Sequence, residues 1–152
     1  MAEKMCSLRK VGGGGGTLKD IYRDIVLNGG YTSYSLTPWS SRASLHEGGI
    51  VVDTASKTAY LYVDFTILQN LTTASTWFYI FAASDTLLNY MPKYQTNTQN
   101  NDVGLSTDSS SSHNKPFMFG YGSATQKITL SGEWGQTYNN GDHYIVYGSW
   151  TY

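Results

Sequence analysis

The sequence predicts an all-β protein, an antiparallel β-sandwich of jelly-roll type, on three observations. The clearest is KTAYLYVDFTIL, residues 57 to 68, which sets Ala59, Leu61, Val63, Phe65 and Ile67 on one side of an extended backbone and Tyr60, Tyr62, Asp64 and Thr66 on the other. Side chains of a strand alternate between faces, so one face seals a core while the other is left half-polar. Next, about eight or nine runs of this kind follow one another, joined by short polar turns. Finally, helical spacing occurs in one short segment ahead of the strands. Sandwiches and jelly rolls are built from such short strands and turns.

Taken in order, the chain opens with a flexible leader, residues 1–16, ending in the unbroken run Gly12 to Gly16. Glycine gives up the most backbone freedom on ordering, so the run reads as a joint. A phosphate-cradling loop does not fit, because Thr17, Leu18 and Lys19 follow Gly16 where a lysine and then a hydroxyl residue are needed. Residues 17–29 read as a short helix. Thr17 is its N-cap, Leu18, Ile21, Tyr22 and Ile25 form one apolar stripe, and Asn28-Gly29 stop it. A helix of about three turns is marginal alone in water. It needs a surface, either the open end of its own sandwich or the same helix of neighbouring subunits. A competing reading begins the first strand at Ile25 to Leu27.

Residues 30–152 form the sandwich domain in this reading. YTSYSL, at 31–36, alternates and is stopped by Pro38; IVVD, at 50–53, follows Gly48-Gly49; Thr54 to Lys57 turn the chain into the long strand and make a hairpin. STWFYIFAA, at 75–83, carries Trp77, Tyr79 and Phe81 opposite Phe78 and Ile80, which predicts a strand covered on both sides, central or buried in a subunit interface. PFMFGYG at 116–122, QKITLS at 126–131, EWGQTY at 133–138 and HYIVYGSWTY at 143–152 complete the set. Asn140-Gly141 is expected to join the last two as a two-residue type I′ turn. Residues 92–115 are polar, with too few apolar side chains to offset ordering, and are expected to form a surface loop. Loops of this length are functional or disordered, and the run Ser109 to Ser112 favours disorder.

The 152 residues suit one domain able to bury roughly 70% of its unfolded surface. Charged residues make up 14%, against about 25% in an average soluble protein. Thr, Ser, Asn, Gly and Tyr replace them, leaving a neutral, hydrogen-bonding, aromatic surface. The net charge of −1 and the scattered Lys and Arg argue against nucleic acid as a partner. No stretch approaches the roughly eighteen apolar residues of a membrane span. MAEKMCSLRK leads into glycines rather than an apolar segment, so no secretory signal peptide is expected. The expected location is the cytosol where the chain is made, with exit by lysis or assembly. Cys6, the one cysteine, excludes an internal disulfide and a cysteine-cluster metal site.

Enzyme signatures would decide function outright. Glycoside hydrolysis needs two carboxylates flanking a cleft. The candidates are Glu47, Asp53, Asp64, Glu133 and Asp142, and none is paired by spacing. Asp64 stands out because it interrupts the second face of the long strand and can meet a partner across the sheet; the plainer reading is a solvated outer-face residue. Asp142 follows the Asn-Gly turn, where aspartate serves the backbone. His46, His113 and His143 form no known ligand spacing, there is no H-x-H and no G-x-S-x-G, and no metal or cofactor is expected.

Aromatic residues are the remaining lead. Thirteen tyrosines and four tryptophans exceed the needs of one core, and such rings lie flat against the apolar face of a sugar. Trp39, Tyr90, Tyr94, Trp134 and Tyr138 fall near loops or strand ends and are the candidate glycan contacts. Cross-strand pairing and oligomer interfaces use the same residue types. Asn70-Leu71-Thr72 matches a glycosylation acceptor, idle without a signal peptide.

Two segments, GGIVVDTASKTAYLYVDFTI at 48–67 and GDHYIVYGSWTY at 141–152, resemble the carboxy-terminal β-rich domains of phage and prophage tail fibre, baseplate or other minor structural proteins. Gly141, Asp142, Tyr144, Gly148, Trp150 and Tyr152 carry the phrase that closes such chains as a final core strand. The resemblance implies a structural or receptor-binding domain, commonly trimeric, exposed on a virion, with no catalytic residues. The glycine-run leader and the serine-rich loop depart from that pattern. The expectation is a non-enzymatic virion domain, assembled in the host bacterial cytoplasm, that self-associates as a homotrimer and contacts host-surface carbohydrate. The alternative is a monomeric carbohydrate-binding module of bacterial origin.

Overall fold

The computed structural model describes residue 24 and residues 31–72, 78–92, 103, 105–107, 115–122, 125–133 and 135–152. The leader and the expected helix at 17–29 lie outside them, except for Asp24, which is helical. In chain order the strands are β1 (Thr32–Tyr34), β2 (Leu36–Pro38), β3 (Ala43–Asp53), β4 (Thr58–Ile67), β5 (Leu71–Thr72), β6 (Phe78–Ala83), β7 (Ser106–Thr107), β8 (Phe117–Gly122), β9 (Lys127–Gly132), β10 (Thr137–Tyr138) and β11 (His143–Thr151). A single 3-10 turn, Asp85–Tyr90, interrupts them among the described residues. The larger sheet has the order β1-β3-β4-β11-β7, the smaller β2-β6-β9-β8, and β10 pairs with β5 at a corner. Every pairing is antiparallel, so the all-β reading stands.

The period-two reading of β4 holds on its inner face, where Ala59, Leu61, Val63, Phe65 and Ile67 are all buried. With Ile50 and Val52 of β3 and Tyr144, Val146 and Trp150 of β11 they share one core with Ile80, Phe81, Phe117, Phe119, Ile128 and Leu130 of the smaller sheet. Aromatic rings join the two sheets: Phe65 lies 5.3 Å from Phe81 and 5.7 Å from Phe117, both edge-on, and Phe119 lies 5.6 Å from Trp150. Edge-on pairs of this kind add about 0.5–1.5 kcal/mol each beyond area burial. The opposite face of β4 is less polar than the alternation suggests. Tyr60 and Tyr62 are buried there, and only toward Asp64 and Thr66 does it become partly exposed.

Where the strands depart from expectation, irregular backbone is the reason. β3 begins at Ala43, well before IVVD, because a bulge at His46 shifts its register between Leu45 and Glu47 and breaks the alternation. YTSYSL divides at Ser35 into β1 and β2, which enter different sheets. The strand does stop at Pro38, which is itself the last residue of β2; β2 is an edge strand, where a missing N–H is tolerated. β6 is central, between β2 and β9, but its two apolar faces have another cause. A register shift between Tyr79 and Phe81 turns both Ile80 and Phe81 into the core. Trp77 lies outside the described residues.

The polar stretch at 92–115 is not loop throughout. Ser106 and Thr107 pair with β11, and Val103 bridges to Phe119. The Asn140-Gly141 turn also differs from expectation. It closes no hairpin, because β10 pairs with β5 while β11 pairs with β4. Gly141 has φ +91° but Asn140 has no positive φ, so the type I′ geometry is excluded.

These pairings combine into one long feature. The path β4-β5-β6 runs antiparallel beside β11-β10-β9, so a two-stranded ribbon starts in the larger sheet, bends at a corner and ends in the smaller one. At the corner Leu71 faces Tyr138 and Thr72 faces Thr137. The Asn140 N–H donates to Asn70 Oδ1 at 2.9 Å and the Gly141 N–H to the Ile67 carbonyl at 2.8 Å. Asn70, the glycosylation match, thus holds the corner with its side chain.

Candidate functional site

Between the end of β2 and the start of β3 the chain crosses from one sheet to the other in a four-residue turn, Trp39 to Arg42. It is closed by the Arg42 N–H donating to the Trp39 carbonyl at 3.0 Å. Both central residues are left-handed, Ser40 at φ 50° and Ser41 at φ 54°. For residues with a β-carbon this conformation costs roughly 1–2 kcal/mol each. The Gln69 side chain offsets it by donating from Nε2 to the carbonyls of Ser40 at 3.1 Å and Ser41 at 3.4 Å. The flanks are fixed too: the Trp39 N–H donates to the Ile80 carbonyl and the Leu68 N–H to the Arg42 carbonyl, both at 2.8 Å.

Two side chains of this turn converge on Tyr79. The Trp39 ring lies 5.1 Å from the Tyr79 ring, and Arg42 Nη1 donates to the Tyr79 carbonyl at 2.9 Å. Trp39 and Arg42 are half-buried, whereas Ser40 and Ser41 are exposed. A ring, two hydroxyls and a guanidinium therefore stand together on a constrained turn. Such a set can stack on a ligand and hydrogen-bond to it.

The other aromatic candidates scatter. Tyr90 belongs to a half-buried group at the opposite end of the larger sheet, its ring 5.0 Å from Tyr152 and 6.0 Å from Tyr34, and its carbonyl accepts from Trp150 Nε1 at 2.6 Å. Burial first, and then the neighbouring Tyr90, raises the hydroxyl pKa of both Tyr34 and Tyr152. Tyr138 corrects the expectation for it. It is fully buried, its hydroxyl donates to the Pro116 carbonyl and accepts from the Glu133 N–H at 3.0 Å, and no ring face is left for a ligand. Period two and a nearby turn could not show that β10 folds inward at the corner. Tyr94 and Trp134 lie outside the described residues.

A second constellation joins residues that sequence reasoning weighed singly. Asp64 meets a partner across the sheet: its Oδ1 lies 2.7 Å from His143 Nε2. His46 Nε2 is 2.7 Å from Thr66 Oγ1, and the two imidazoles are 6.1 Å apart. Glu47 stands directly opposite Asp64 in register. That last pairing was legible, since counting in step from Asp53 opposite Thr58 at the hairpin turn reaches it. His46 was hidden by the bulge, and His143 by a strand pairing distant in sequence. The cluster can exchange protons and hydrogen-bond to polar groups, but among the described residues no group of three or more His, Cys, Asp or Glu is arranged to hold a metal ion.

Two further acids serve the backbone. Asp53, buried, accepts from the Ala55 N–H at 3.0 Å and Ser56 Oγ at 2.6 Å, which shapes the β3–β4 turn. Asp142 accepts from the Asn139 N–H at 2.9 Å and the Tyr144 hydroxyl at 3.2 Å. Among the described residues no helix is long and apolar enough to cross a membrane. No family model, curated protein or solved structure matches the chain.

Proposed function

We propose that the chain is a non-enzymatic virion domain of a phage or prophage that self-associates as a homotrimer and contacts host-surface glycan through the Trp39 to Arg42 turn. The observation that carries the glycan contact is the turn itself. Two serines held left-handed by Gln69 present an indole, hydroxyls and a guanidinium at the surface. Strain of this kind persists where the surroundings over-determine it, and it clusters at ligand sites. Preorganisation also removes part of the ordering penalty on binding.

The virion reading draws on the resemblance of residues 48–67 and 141–152. These segments are adjacent strands: β11 pairs with β4 from His143 opposite Thr66 to Thr151 opposite Thr58. We read the two facing sheets, wrapped by the folded ribbon, as a jelly-roll β-sandwich. Light scattering and glycan-array binding of the purified protein test the proposal together. The expected result is a trimer whose glycan signal disappears in Trp39→Ala. A monomer with Trp39-dependent binding points to a carbohydrate-binding module of bacterial origin instead. A monomer that binds no glycan overturns both readings.

A further inference from the structure

We infer that the glycan held by the Trp39 to Arg42 turn is anionic, carrying a carboxylate or sulfate on the sugar that stacks beside Trp39; this rests on reading the turn as a glycan site. A neutral sugar requires only the indole and the hydroxyls. Arg42 adds a cation whose position is set by the bond from Nη1 to the Tyr79 carbonyl. Among the described residues the contact of that guanidinium is the Tyr79 carbonyl, with no ion pair to a carboxylate. Arg42 is half-buried beside the turn, its head group held by a neutral carbonyl rather than a counter-charge. A guanidinium has five N–H donors in a planar fork, and the Tyr79 carbonyl engages one nitrogen. The remaining fork matches two oxygens of one anionic group. The net charge of −1 provides no general attraction for anions, so a preference that depends on Arg42 reports this contact.

The test titrates the whole protein with three matched oligosaccharides: a neutral one, its counterpart oxidised to a uronic acid at one ring, and its sulfate ester. The expected result is that at least one anionic form binds on the order of tenfold more tightly than the neutral form, as charge-assisted hydrogen bonds imply. Which anionic form gains shows whether carboxylate or sulfate is recognised. Arg42→Gln is expected to abolish the preference, so that within the variant the anionic forms bind no more tightly than the neutral one, and Arg42→Lys to reduce it. Equal binding of all three by the unaltered protein overturns the inference and leaves the glycan reading in place. So does a preference that survives Arg42→Gln. Binding of none overturns both.

Discussion

Gly48 is pressed against Tyr62 of the neighbouring strand so closely that a β-carbon on it would stand 1.9 Å from the Tyr62 carbonyl oxygen. It follows the His46 bulge and has φ +117°, a conformation that disfavours any side chain. Gly48→Ala must separate β3 from β4 or distort both. A loss of about 3 kcal/mol or more is expected by denaturant unfolding. A loss under about 1 kcal/mol would show that the bulge relaxes freely.

Tyr138→Phe leaves the ring in place and removes the hydroxyl that joins the Pro116 carbonyl to the Glu133 N–H. Losing bonds to partly buried groups costs about 1–3 kcal/mol. The same unfolding measurement checks it, and a neutral substitution would mean that water replaces both bonds.

Alkaline pH acts on the same residue. Burial, the largest cause, pushes the Tyr138 hydroxyl up to about 12 and moves Tyr144 further in the same direction. The folded state therefore favours the neutral phenol. This stabilisation is complete below the unfolded value of about 10 and is lost as pH rises through the folded value, at about 1.4 kcal/mol per pH unit for each tyrosine. Unfolding free energy measured above pH 10 should fall accordingly, and less steeply in Tyr138→Phe. A flat profile contradicts the burial.

Asp64→Asn is expected to cost less than about 1 kcal/mol, because its histidine partner is substantially exposed, at 38% for the His143 side chain. Thermal unfolding checks this. Polysaccharide hydrolysis that vanished in the same variant would replace the proposed function with an enzymatic one.

Gln69→Ala releases the Ser40 and Ser41 carbonyls and should weaken glycan binding several-fold while the Trp39 indole is retained. Ser41→Gly relieves a left-handed residue and should raise stability by up to about 1 kcal/mol. Binding isotherms and unfolding curves on both variants separate the two effects. Unchanged affinity in Gln69→Ala would show that the clamp is irrelevant to recognition.

Much of the larger sheet could be read from residues. Alternation along β4 named its inner face, and the Thr54 to Lys57 turn set the hairpin register as far as Glu47 opposite Asp64. Bulges mark where that reading ends. At His46 and at Ile80 one extra residue reverses the faces, and no composition signal announces it. Long-range pairing is the other limit. The meeting of His143 with Asp64 and the inward turn of Tyr138 depend on strands distant in sequence. Trp39 was legible as an aromatic near a strand end, but the Gln69 clamp depends on carbonyl directions, which residue types do not encode.

The folded ribbon also constrains how the chain is made. Asp64 waits 79 positions for His143, so during translation β4 stands without its second neighbour until β11 has left the ribosome. Such distant closure folds slowly, on a millisecond to second scale. Meanwhile the bare strand edge can recruit the same strand from another nascent chain. Chaperone demand during synthesis, and exchange of β11 between copies, should therefore be greater for this topology than for a protein built from local hairpins.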